Sequence, residues 1–168
     1  MSMPMGYVRC HGCDFEGLMQ RHPITLEYVL PTGAVVQGYR EVAWCYSCED
    51  VTDAEAAFDA ASIQNEIDSF KRRKVGFFGR IFGGGKAEDV ELKRLTERLQ
   101  LAQLRKSAPR CLNCGEPTVV PLAFDESGTS NVVHTCGRRL FVVPEDPDAP
   151  RFMFRPEVVR LDSEGRKI

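Results

Sequence analysis

Six of the seven cysteines fall in three C-x2-C pairs, Cys10/Cys13, Cys45/Cys48 and Cys111/Cys114, and the seventh, Cys136, stands two residues after His134. Thiolates and imidazoles are the ligands zinc prefers, four at a time in a tetrahedron, and a C-x2-C turn presents two sulfurs to one ion. A disulfide framework is expected of a short secreted chain with an even cysteine count. Here the count is odd, and Met1 to Met5 lack the charged start and apolar run of a secretory signal. These residues predict a soluble cytoplasmic chain that binds two zinc ions.

The nearest-neighbour assignment gives one shell of Cys10, Cys13, Cys45 and Cys48, two C-x2-C turns separated by 31 residues. The second shell is Cys111, Cys114, His134 and Cys136. Residues two apart on an extended strand point to the same face, so the His134 imidazole can replace the missing thiolate. Asp125, His11 and His22 are the alternatives for that fourth position. In these motifs the chain resembles the zinc-ribbon group, in which two cysteine knuckles at one end of a short β-hairpin clasp an ion. The resemblance covers residues 1–50 and, more loosely, 111–143. It implies structural zinc, because four protein ligands leave no open position for substrate or activated water. Tetrathiolate iron is the alternative at the first shell. Modules of roughly 50 residues bury little surface, whereas zinc can contribute about 10–16 kcal/mol to their folding.

The elements that must position these ligands fall into three stretches. Residues 1–50 carry 3 basic and 6 acidic groups, 51–110 carry 12 and 9, and 111–168 carry 7 and 9. The overall net charge is -2, so any basic function is local. Ile24 to Leu30, a turn at Pro31 to Gly33, and Ala34 to Trp44 predict a hairpin. Thr118 to Phe124, Asn131 to Thr135 and Arg138 to Val143 predict strands after the third pair, with a last strand over 152–161. Between them, Thr52 and Glu55 predict a capping box, followed by an apolar stripe at Ala56, Ala60, Ile63, Ile67 and Phe70. Leu92, Leu95, Leu99 and Ala102 predict a second helix that ends before Pro109. The expected fold is α+β. Two small zinc-ribbon-like β modules, residues 1–50 and 109–168, flank an antiparallel α-helical hairpin over 51–108.

Trp44-Cys45-Tyr-Ser-Cys48 resembles the W-C-x-x-C turn of thioredoxin-type oxidoreductases, in which a following helix start lowers the first thiol's pKa. The surrounding βαβ pattern is missing, and Cys10/Cys13 have no place in that chemistry. Gly79 to Lys86 departs from a Walker A loop, with Arg80 and Ala87 where Gly and Ser or Thr are required. No histidine pairs recognisably with a nucleophile and an orienting acid. Residues 70–86 hold Lys71, Arg72, Arg73, Lys74, Arg80 and Lys86 without an acid, interleaved with Phe77, Phe78 and Phe82. Such a tip can offer Phe anchors to a protein groove, grip phosphates while Phe stacks on bases, or meet anionic lipid. The sequence predicts a non-enzymatic zinc-binding adaptor for a protein partner, with nucleic acid, a membrane surface or self-association as alternative partners, and a thiol-disulfide oxidoreductase using Cys45 and Cys48 as the remaining alternative.

Overall fold

The computed structural model describes residues 2–3, 6–19, 24–75, 86–143, 152–153 and 155–168. In chain order the elements are β1 (Ser2–Met3), β2 (Gly6–Cys10), β3 (Glu16–Met19), β4 (Ile24–Val29), β5 (Val35–Gly38), β6 (Arg40–Cys45) and β7 (Asp50–Glu55). Helices α1 (Ala60–Val75) and α2 (Lys86–Leu104) follow. The chain closes with β8 (Val119–Pro121), β9 (Thr129–Val133), β10 (Arg139–Val143), β11 (Phe152–Met153) and β12 (Glu157–Asp162).

The predicted arrangement of separate end modules around a hairpin is overturned by strand pairing. Among the described residues the larger sheets run β3-β2-β10-β9, β12-β4-β5 and β7-β6-β8, and each combines strands from both ends of the sequence. Cys10 lies opposite Leu140, Cys45 opposite Val119, and β12 runs parallel to β4 with Glu157 opposite Ile24. The short-range hairpin signal finds β4-β5, but edges are saturated by whichever strand buries the apolar face. The hairpin expected to run from Ile24 to Trp44 therefore splits. β4 and β5 pair as expected, while β6 leaves that sheet to lie between β7 and β8. The split buries Trp44 and Cys45 completely.

The capping box expected at Thr52/Glu55 is also overturned. Both residues lie in β7, and the helix begins at Ala60, where the Asp59 carboxylate accepts the Ala61 N–H at 2.9 Å. The apolar stripes do pack the helices on each other: Ile63 and Ile67 of α1 meet Leu95 of α2, all nearly inaccessible to solvent. Further along α2, Leu101 joins a second cluster with Leu26, Tyr28, Val36 and Leu161. The helices are thus welded to the β12-β4-β5 sheet because α2 buries a second side, at Leu101, besides the one that meets α1.

Glu55, misread as a cap, is the polar centre of that weld. Its carboxylate accepts the Tyr28 hydroxyl at 2.6 Å, the Arg105 guanidinium at 2.8 and 2.5 Å, and the Arg110 N–H at 2.8 Å. Burial and the adjacent carboxylate push the Tyr28 phenol above its usual range, keeping it a donor. Side-chain exposure is 6% for Arg105 and 0% for Glu55, so the charges have exchanged water for one another and for well-aimed donors. Arg110 passes the connection on, donating through Nε to the Glu164 carbonyl and through its other end to the Gly115 carbonyl. Replacing Glu55 by Ala strands a buried guanidinium and is expected to lower the unfolding free energy by about 3–5 kcal/mol in denaturant titration. A loss below about 1 kcal/mol, the size expected of an exposed pair, would contradict this role.

Candidate metal centres

Each knuckle occupies a turn set by a strand end. Cys10 ends β2 and Cys13 lies in the turn to β3, while His134 and Cys136 lie in the turn joining β9 to β10. Because β2 and β10 are neighbours, these two turns meet at one end of the four-stranded sheet. Cys10 Sγ is 3.3 Å from Cys136 Sγ and Cys13 Sγ is 3.5 Å from His134 Nδ1. In the β7-β6-β8 sheet, Cys45 and Cys48 fill the β6-β7 turn, and Cys111 and Cys114 precede β8. Cys45 Sγ lies 3.6 Å from Cys114 Sγ, and Cys48 Sγ 3.9 Å from Cys111 Sγ.

All eight predicted ligands are therefore brought into two clusters, but the assignment between clusters is corrected. The first comprises Cys10, Cys13, His134 and Cys136; the second comprises Cys45, Cys48, Cys111 and Cys114. Within each, the ligand atoms lie within 4.8 Å of one another, the reach of a single ion. The outermost knuckles pair with each other and enclose the inner pair. The cause is the pairing of β2 with β10 and β6 with β8, which carries distant turns to a common end. Each cluster is ribbon-like in having two knuckles at a sheet end, with strands drawn from both halves of the chain.

Local backbone geometry fits the knuckles to this task. Gly115 and Gly137 directly follow the last ligand of their turns with φ of 80° and 83°, and Glu49 follows Cys48 with φ 53°. This left-handed residue reverses the chain, at low strain for glycine and some cost for Glu49. At Gly12 a Cβ would stand 2.4 Å from Arg138 Cγ, so only glycine lets the first knuckle approach the last.

The two clusters differ in exposure and support. In the second, Cys45 and Cys111 are buried, at 0% and 1% exposure, and Cys111 Sγ accepts the Asn113 N–H at 3.3 Å and contacts the Thr52 hydroxyl at 3.5 Å. Burial opposes the Cys111 thiolate, yet Thr52 and the Cys114 and Asn113 amides outweigh it and hold the thiol down to about 7. Burial pushes Cys48 and Cys114 up. In the first cluster Cys13 and Cys136 are exposed. The His134 contact, followed by those with Cys10 and the Arg138 amide, holds Cys136 down to about 6, while Cys13 is raised. Like charges held this close oppose one another, so the raised thiols Cys13, Cys48 and Cys114 keep their protons. Binding an ion displaces those protons.

His134 is packed as well as placed, its ring 4.8 Å from Phe15 and 5.5 Å from Trp44. Trp44, adjacent to Cys45 in sequence, thereby touches a ligand of the other cluster. The alternative fourth ligands take other roles. Asp125 holds its own turn through Ser127 and Thr129, His11 stacks on Phe141 at 4.3 Å, and His22 lies outside the described residues. Thr52 and Asn113 escaped sequence reasoning because a supporting hydrogen bond leaves no spacing signature. The redox turn is not formed as the W-C-x-x-C resemblance implies: Cys45 is buried, and a strand follows Cys48 where a helix start is required. Of the tip residues, Lys71 and Arg72 are exposed on α1, and the backbone of Arg73 and Lys74 continues that helix. Phe77, Phe78, Arg80 and Phe82 lie outside the described residues. No helix of the described residues is long and apolar enough to cross a membrane.

Two outcomes follow for the metal-loaded chain. Chelator should remove two equivalents in separate phases, with Cys13 and Cys136 alkylated in the fast phase and Cys45 and Cys111 in the slow; simultaneous release would contradict the difference in burial. Raised thiols hold protons that the ion must displace, so apparent affinity should fall from about pH 8 to about pH 6, with protons released on binding. Titration in two buffers of different ionisation enthalpy measures that release, and pH-independent affinity would exclude thiol ligation. The chain matches no protein-family model, and neither curated proteins nor solved structures show a match.

Proposed function

We propose that this chain is a zinc protein whose two ions are structural, and that it acts as a non-enzymatic adaptor docking on a protein partner. The observation that supports it most is the closure of both clusters: each offers four protein ligands, the number that saturates tetrahedral zinc. Thiolates with one imidazole suit zinc, and iron remains the alternative at the all-cysteine cluster. In this reading the ions hold turns from opposite ends of the chain together, so that the sheets and the helix pair become one scaffold. Docking falls to surfaces away from the ions, first the stretch over residues 70–86, where cations and phenylalanines alternate without an acid. Phenylalanine anchors filling a groove and basic residues facing an acidic rim are the usual division of labour in such contacts.

A second reading is favoured by the surface beside the first cluster. His11 stacks on Phe141 there, and Arg138 and Arg139 are exposed next to it. Rings and guanidinium groups on one sheet end can grip a single strand of nucleic acid by stacking and phosphate contacts.

Capture from a lysate by the zinc-loaded chain, compared with the triple variant Phe77→Ser, Phe78→Ser, Phe82→Ser, tests the first reading. The expected result is a protein captured by the former and lost from the latter. Capture of nucleic acid with steep salt dependence and loss on changing Arg138 and Arg139 to Gln would replace it with the second.

A further inference from the structure

We infer that the first cluster is an oxidation site for hydrogen peroxide: Cys136 is attacked, Cys10 closes a disulfide onto it, and the ion of that cluster leaves while the other stays. The inference rests on the zinc reading above and adds a reactivity that separates the two clusters. Three sulfurs and one imidazole form this site. Cys13 and Cys136 are exposed, whereas Cys10 is buried at 7% exposure. Ligation holds a cysteine as the nucleophilic thiolate, so a ligand sulfur open to solvent is open to a small peroxide as well.

The geometry selects the pair. Cys10 Sγ lies 3.3 Å from Cys136 Sγ, against 3.6 and 3.9 Å for the two approaches between knuckles in the second cluster. A disulfide requires roughly 2.0 Å, so Cys10 and Cys136 have the least distance to close. Cys10 ends β2 and Cys136 lies in the turn that leads into β10, the strand beside β2. The bond therefore ties the same two strands that the ion ties, and oxidation replaces one fastening with another.

The step balances as follows. The Cys136 sulfur takes one peroxide oxygen, the O–O bond breaks, and the second oxygen leaves as hydroxide and is protonated to water. The Cys10 thiolate then attacks the sulfenic sulfur of Cys136, the S–S bond forms, and the remaining oxygen leaves as hydroxide and is protonated in turn. Two thiolates, one hydrogen peroxide and two protons from solvent give one disulfide and two waters, with two electrons passing from sulfur to peroxide. Cys13 and His134 are left as ligands, two where tetrahedral zinc requires four.

The second cluster resists at the same steps. Cys45 and Cys111 are buried, and Cys111 Sγ accepts the Asn113 and Cys114 N–H groups at 3.3 and 3.5 Å. Cys114 is exposed, but its turn is clamped: Arg110 donates to the Gly115 carbonyl at 2.9 Å, and the Arg110 N–H is itself held by Glu55 at 2.8 Å. Closing Cys114 onto Cys45 pulls against that buried network.

The test uses the full chain, shown by elemental analysis to carry two zinc ions and to release neither to a weak chromogenic chelator. Hydrogen peroxide is then added while the chelator reads the metal set free. The first equivalent should leave about tenfold or more faster than the second. Over that phase the seven thiols should fall to five, and peptide mapping should join Cys10 to Cys136. Dithiothreitol with added zinc should restore two ions. Release of both ions together or of neither, a disulfide between any other pair, or sulfonic acids without a disulfide overturns the oxidation site and leaves the structural zinc reading standing. A chain that never holds two ions overturns the zinc reading, and this inference with it.

Discussion

The pairing of strands from opposite ends of the chain is the constraint on which everything else depends. β2 must find β10 and β6 must find β8 before either set of four ligands exists. Cys10 and Cys136 are 126 residues apart, and Cys45 and Cys114 are 69 apart. Closing flexible loops of these lengths costs about 4 kcal/mol each in chain entropy. Sequential pairing of neighbouring knuckles would lower each cost by only about 1 kcal/mol, because the penalty grows with the logarithm of length. An ion worth about 10–16 kcal/mol exceeds either cost several-fold. Loop length therefore has little say in which knuckles meet, and burial of sheet faces decides.

Nesting also orders the assembly. Once the inner cluster holds β6 against β8, the stretch between the outer knuckles is effectively shortened by the loop already closed. Trp44 ties the two events together, since it is buried beside Cys45 and packs edge-on against His134 and Phe15. The Glu55–Arg105 pair performs a comparable service away from the metal. It joins β7, β4 and the segment after α2, and through Arg110 it reaches the knuckle that carries Cys111. The all-cysteine cluster and this pair stand at opposite ends of the same strand, β7, whose first residue lies opposite Cys45 and whose last is Glu55.

The local content of the fold was legible in the sequence and its long-range content was not. Thiols and one imidazole at knuckle spacing marked the eight ligands, because coordination chemistry is written in residue type and short separation. The stripes at Ile63, Ile67 and Leu95 marked the helix contact for the same reason, period and apolarity being local properties. The partition of ligands was hidden, since nothing in Cys10-His-Gly-Cys13 states whether β2 will lie beside β5 or β10. Glu55 was misread for a subtler cause: a Thr three residues before a Glu satisfies a capping box and is equally compatible with a strand. What decided it was the buried Arg105, 50 residues away.

The most direct measurement is the metal content of two double variants of the purified chain. Cys48→Ser with Cys111→Ser removes two ligands of one nested cluster, and about one ion per chain should remain on the other. Cys13→Ser with Cys48→Ser breaks both clusters and should leave close to none. The opposite pattern, with ions lost from the first variant and one retained by the second, would mean that neighbouring knuckles pair in sequence and would contradict the nested architecture.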